Sequence, residues 1–195
     1  IFKYKGEKSL ILKPMLKMAL PLLLVSGTSI IASNADALML GWLSDVREVG
    51  LYTVAARLAL LVSLFLQVSN AAISPKLASL FATNNIAEIN ILVKRVTLGL
   101  VIVAILFLIV FIIGGNFILG LWGNEFKEAY LVLIILAIGQ FFNISTGCAG
   151  MLLIMCGFEK IHGYISLFFM LLNLLLNYIL IVSYGAVGAA IATTI

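Results

Sequence analysis

Apolar residues run in five long segments, Met15 to Gly41, Leu51 to Leu80, Val96 to Leu121, Ala129 to Cys156 and Gly163 to Val182, and a sixth run begins at Ala186. A helical bilayer crossing takes about 20 mostly apolar residues at a rise of about 1.5 Å each, so every one of the five is long enough to cross. Within four of them the polar or small residues recur at helical spacing: Ser26, Ser29, Ser33 and Asp36; Ser63, Gln67, Asn70 and Ser74; Gln140, Asn143, Gly147 and Gly150; Ser166, Asn173 and Asn177 with Met170. Steps of three and four place each set on one helix face. The third segment, around Val101 to Ile113, has no such face. The pattern predicts an all-α polytopic membrane protein whose polar faces turn to a hydrated cavity while the third helix turns to lipid. The competing explanation for any single face is packing, because Ser, Asn, Gln and Gly also join membrane helices.

The breaks between segments carry turn and cap chemistry. Asp45 and Glu48 have capping-box spacing between Gly41 and Gly50, Asn84-Asn85 opens an expected loop that runs through Arg95, and Gly123-Asn124 precedes Glu125. Residues 1–17, with Lys3, Lys5, Lys8, Lys13 and Lys17 among Leu10, Ile11 and Leu12, have the pattern of a basic amphipathic connector lying on the membrane, ended by Pro14 and Pro21. Residues 18–195 are then a helical lobe. Its sixth run, 186–195, covers about half a crossing, and the expectation is an incomplete helix in a fragment of a longer transporter.

Composition narrows the class. Apolar residues make up 64% of the 195 and charged ones 10%, against roughly 45–50% and about 25% in soluble proteins. This excludes a soluble enzyme, a disulfide-built secreted module and a nucleic-acid binder, despite the net charge of +4. Of the twelve Lys and Arg, nine fall on one side of the expected crossings and two on the other, with Arg57 inside the second segment. Excess Lys and Arg stay cytoplasmic, so the N-terminal stretch, the loop through Arg95 and the loop around Lys160 belong inside a cell membrane. Trp42, Trp122, Tyr52, Tyr130 and Tyr184 then fall near the outer interface.

Asp36 and Arg57 are the intramembrane charges, and each costs roughly 2.5–3.5 kcal/mol at the bilayer centre on insertion scales. Counting inward from Trp42 and Tyr52 puts them at similar depth on adjacent helices, where they either form an ion pair or serve the transport path. The candidate pathway residues are Asp36, Arg57, Gln67, Asn70, Gln140, Asn143, Asn173 and Asn177, and no residue is a catalytic candidate. Cys148 and Cys156 lack metal or redox spacing. The sequon at Asn143 lies at membrane depth, His162 stands alone in a loop, and Glu125 and Glu128 suit the first turn of a helix. No Walker loop or metalloprotease motif is present.

The runs Asp36-Ala37-Leu38-Met39-Leu40-Gly41, Val49-Gly50-Leu51-Tyr52 with Ala55-Ala56-Arg57-Leu58, Ile73-Ser74-Pro75-Lys76-Leu77, Leu136-Ala137-Ile138-Gly139-Gln140 and the closing run of Asn173, Asn177 and Tyr184-Gly185 with Gly188-Ala189-Ala190-Ile191-Ala192-Thr193 together resemble the O-antigen flippase type of polysaccharide transporter. That type belongs to the multidrug, oligosaccharidyl-lipid and polysaccharide exporter superfamily. Ser183 stands where many members have proline. The resemblance implies two six-helix lobes around a central cavity, this chain being the second and residues 1–17 the cytoplasmic connection between them. It also implies a non-enzymatic flippase that moves lipid-linked glycan repeat units across the cytoplasmic membrane. The implied partners are the glycan lipid, the bilayer, the first lobe and the polysaccharide polymerase machinery, with no cofactor and with the coupling ion open between proton and sodium. A multidrug or peptidoglycan-precursor exporter, a membrane-embedded glycan polymerase or ligase, and a structural subunit are the competing classes.

Overall fold

A computed structural model describes residues 23, 26, 27 and 34–195. The expected connector helix 1–17 and Ser29 and Ser33 of the first polar face lie outside the described residues. Those described fold as helices: α1 (residues 34–43), α2 (Val46–Ala82), α3 (Ile86–Gly120), the 3-10 turn η1 (Asn124–Ala129), α4 (Tyr130–Ser145), α5 (Ala149–Met155) and α6 (Glu159–Thr194). Four stretches, Val46–Ala82, Ile86–Gly120, Asn124–Ser145 and Glu159–Thr194, are long and apolar enough to cross a membrane. The chain is a membrane protein.

The helices extend past the expected segments. Residues 86–95, expected as loop, are the opening turns of α3, and the connection shrinks to 83–85 with Asn84 at φ 53. Asn85 caps α3, its side chain accepting from the Glu88 N–H at 3.3 Å and donating to Glu88 Oε2 at 2.8 Å. Ile89 is buried against Leu77 and Leu80, with Leu92, Val93 and Leu152 alongside. Apolar residues at steps of three and four carry the helix onward, and Lys94 and Arg95 occupy its other faces without breaking it.

The fourth segment is divided. It begins as η1, continues as α4, turns through 146–148 with Gly147 at φ 62, and resumes as α5. The Ser145 and Thr146 hydroxyls donate back to the Phe141 and Asn143 carbonyls at 2.7 and 2.6 Å, local bonds that compete with helix continuation. The polar face of α4 therefore stops here. Gly147 lies against Thr97 and Gly150 against His162, so neither extends it.

α6 is a hairpin of two arms, 159–184 and 186–194, reversing at Gly185 (φ 54, ψ −132), a conformation open to glycine. The fifth and sixth apolar runs are these arms. They pack closely: a Cβ on Gly188 would overlap the Leu180 carbonyl, and Asn173 Nδ2 donates to the Ala192 carbonyl at 3.4 Å.

The start of α2, η1 and the α6 turn meet at one end of the bundle. Arg47 pairs with Glu128 at 2.7 Å there, and Glu48 accepts the Ala186 N–H at 2.8 Å. The capping box expected from Asp45 and Glu48 does not form, because Glu48 is engaged on α6 and Asp45 makes no side-chain cap bond. The core joins Leu40, Tyr52, Ala55, Ala59, Leu100, Ala104, Leu133, Ala137, Ala186, Ala189 and Ala190, where small side chains let backbones approach. α3 exposes Leu98, Ile102, Leu106, Ile109, Ile113 and Phe117 along its outer face.

Candidate functional site

Asp36 is the one buried charged side chain among the described residues, 5% exposed. α1 carries it, and three other helical stretches supply its donors. Tyr52 of α2 donates to Oδ2 at 2.9 Å, Thr193 of the returning arm to Oδ2 at 2.8 Å, and Asn177 Nδ2 of the outgoing arm to Oδ1 at 2.6 Å. Asn177 is fully buried, also reaches the Asn173 carbonyl and Asn173 Oδ1 at 3.1 Å each, and has no partner for its own Oδ1. Each donor to the carboxylate is neutral.

The expected alternative of an ion pair between Asp36 and Arg57 is not realised. Among the described residues the ion pair is Arg47 with Glu128, and Arg57 is exposed. The reason is angular: Tyr52 and Arg57 are five residues apart on α2, about 140° around the helix, so the face that presents Tyr52 to Asp36 turns Arg57 away.

Beside this carboxylate opens a cleft of about 750 Å³. Asp36, Tyr52, Asn173 and Thr193 form its polar floor, Gln140, Asn143 and Thr146 one wall, and Ser166, Phe169 and Met170 another. Asn143 Nδ2 donates to Gln140 Oε1 at 3.3 Å, so the two amides form one polar strip. Four of the expected pathway residues thus gather here, Asp36, Gln140, Asn143 and Asn173, with Asn177 buried behind them.

The polar set of α2 lies elsewhere. Gln67 and Arg57 border a separate shallow depression of about 260 Å³ with Leu60, Leu61, Ser63 and Leu64, and Asn70 lines neither space. Ser63 and Ser74 instead donate to the Leu60 and Asn70 carbonyls of their own helix. The α2 residues facing the cleft are Tyr52, Ala56, Ala59 and Leu60. Leu60 borders both spaces.

Tyr52, Thr146 and Thr193 are site residues that the polar faces did not reveal. Tyr52 reads as an interfacial anchor, and Thr193 falls in a run too short to show a face. A usable signal is the hairpin register. Asn177 and Thr193 lie eight residues on either side of Gly185, so a reversal at that glycine brings them level.

A family model described as MatE matches residues 21–179. The chain belongs to this family of transporters, within the exporter superfamily that its motifs resemble. It is 30% identical over 194 residues to the probable low-salt glycan biosynthesis flippase Agl15 of Haloferax volcanii, covering 94% of this chain and 40% of that protein. It is 24% identical over 184 residues to the capsular polysaccharide biosynthesis protein CapF of Staphylococcus aureus, covering 94% and 46%. The chain spans less than half the length of these curated relatives. No solved structure matches it.

Proposed function

We propose that the chain forms the second lobe of a two-lobe flippase that carries lipid-linked oligosaccharide or polysaccharide repeat units across the cytoplasmic membrane for surface polysaccharide biosynthesis. The observation that carries this reading is the cleft. Its walls present neutral amides and hydroxyls from Gln140, Asn143, Thr146, Ser166 and Asn173. A sugar head group is too polar to cross hydrocarbon, and amides both donate to and accept from hydroxyls in many orientations. They do so without a charge that would hold the sugar too tightly for release. The lipid tail remains in the bilayer. Both relatives carry names from glycan export or capsule synthesis, which supports a glycan over a drug as cargo.

Within this reading Arg57 and Gln67, across Leu60 from the cleft, meet the phosphate that joins sugar to lipid, and Asn70 continues the polar track along α2. Asp36, buried without a cationic partner among the described residues, is the residue through which a proton or sodium gradient does work on the lobe. Rocking of the two lobes around the shared cavity gives alternating access. The first lobe and the polymerase machinery complete the partners.

The test replaces Gln140, Asn143 and Asn173 with leucine in the complete protein, in the source cell. Surface polysaccharide is expected to be lost while protein level stays normal and lipid-linked precursor accumulates on the cytoplasmic leaflet. Unchanged surface glycan would overturn the assignment.

A further inference from the structure

Two neighbouring charges at the start of α2 have different environments. Arg47 pairs with Glu128 where both side chains are 57% exposed, the kind of surface ion pair that contributes little. Glu48 is half-buried, and its Oε2 accepts the N–H of Ala186, a residue 2% exposed. Ala186 is the first residue after the Gly185 reversal, so this N–H is one of the orphan donors at the start of the returning arm. A carboxylate in that position satisfies the donor and also meets the positive end of the arm's dipole.

Seven residues further along the same arm, Thr193 donates to Asp36, and Thr194 donates to the Ile135 carbonyl of α4 at 3.2 Å. Two helical turns, about 10.5 Å, separate the two carboxylate contacts. The arm is a short rod held by Glu48 at its start and by Asp36 near its end. The Thr193 hydroxyl has a single proton and a second acceptor, the Ala189 carbonyl at 2.9 Å. Ala189 rides on the same arm. A displacement of the arm therefore leaves that second bond intact and removes the hydroxyl from Asp36.

We infer that Glu48 is a positioning residue for Asp36: by capping the returning arm it fixes the register at which the Thr193 hydroxyl reaches the buried carboxylate. The importance of this for transport rests on Asp36 lying in the transport path, but the register is tested without any transport assay. In membranes holding the complete protein, the modification of Asp36 by dicyclohexylcarbodiimide is followed by peptide mass spectrometry. Labelling forms a bond from a carboxyl oxygen of Asp36 to the carbodiimide carbon, and an oxygen engaged by a hydroxyl donor is less free to attack, so loss of the Thr193 donor speeds labelling. Glu48→Ala is expected to raise labelling threefold or more over wild type. Glu48→Gln, whose Oε1 still accepts the Ala186 N–H, is expected to stay within twofold.

A general loosening of the lobe and a register effect separate in the double variant. If Glu48 acts through Thr193, Glu48→Ala with Thr193→Val labels no faster than Thr193→Val alone. Effects that multiply overturn the inference. So does equal labelling in wild type and Glu48→Ala, including none in either. Should Glu48→Ala fail to accumulate, Glu48→Asp carries the test: its shorter side chain is expected to raise labelling, again without adding to Thr193→Val, and an unchanged rate overturns the inference. Failure of the leucine variants to affect surface glycan would bear on the cargo alone.

Discussion

Among the described residues, the Asp36 carboxylate is held by uncharged hydrogen-bond donors. Bonds to a charged group are worth about 1.5–3 kcal/mol in soluble proteins and less between membrane helices, where the unfolded reference state also finds partners. Tyr52→Phe is therefore expected to cost about 1–2 kcal/mol, read as a lower thermal midpoint in detergent. Because Arg57 does not touch Asp36, Asp36→Asn and Arg57→Gln should have additive effects on that midpoint. A double variant that recovers stability would restore the ion pair. The polar residues at this site were legible from helical spacing on the fourth and fifth segments, because both Gln140 with Asn143 and Asn173 with Asn177 stand within one continuous helix. Their partners were not. A hydrogen bond between α1 and Thr193 spans 157 positions, and no periodicity carries that information.

Among the elements, the long helices follow directly from apolar spacing, while their ends and interruptions depend on contacts. Ile86 to Arg95 has helical apolar spacing, yet the Asn84-Asn85 turn signal suggested a loop running through Arg95, and burial of Ile89 against Leu77 and Leu80 decided for helix. Removing the Asn85 cap should cost about 1 kcal/mol, so Asn85→Ala is expected to lower the thermal midpoint modestly and leave export unchanged. The α6 hairpin is far less tolerant. A methyl group on Gly188 meets the Leu180 carbonyl, a backbone atom with no rotamer to escape into, so Gly188→Ala should cost about 3 kcal/mol or more. The expected outcome is loss of monodisperse protein on size-exclusion chromatography; a well-behaved Gly188→Ala protein would mean the arms lie further apart.

For the whole molecule, the nine-to-two division of Lys and Arg gives an expected orientation, with the α2–α3 turn in the cytoplasm and the end built from Arg47, Glu128 and the α6 turn outside. In intact cells a cysteine at Asp45 should react with an impermeant maleimide, and one at Asn90 only after permeabilisation; the reverse pattern would invert the lobe. Membrane class, the presence of long apolar helices and the helical spacing of Gln140 with Asn143 and of Asn173 with Asn177 could be read from the chain, because hydrophobic length and helical period are local properties of consecutive residues. Which face of α2 meets the cleft, which donors hold Asp36 and where Glu48 spends its charge could not. Those follow from how α1, α2, α4 and the two arms of α6 rotate against one another, and that rotation is set by packing of Leu40, Ala55, Ala59, Ala137, Ala189 and Ala190 across distant parts of the sequence.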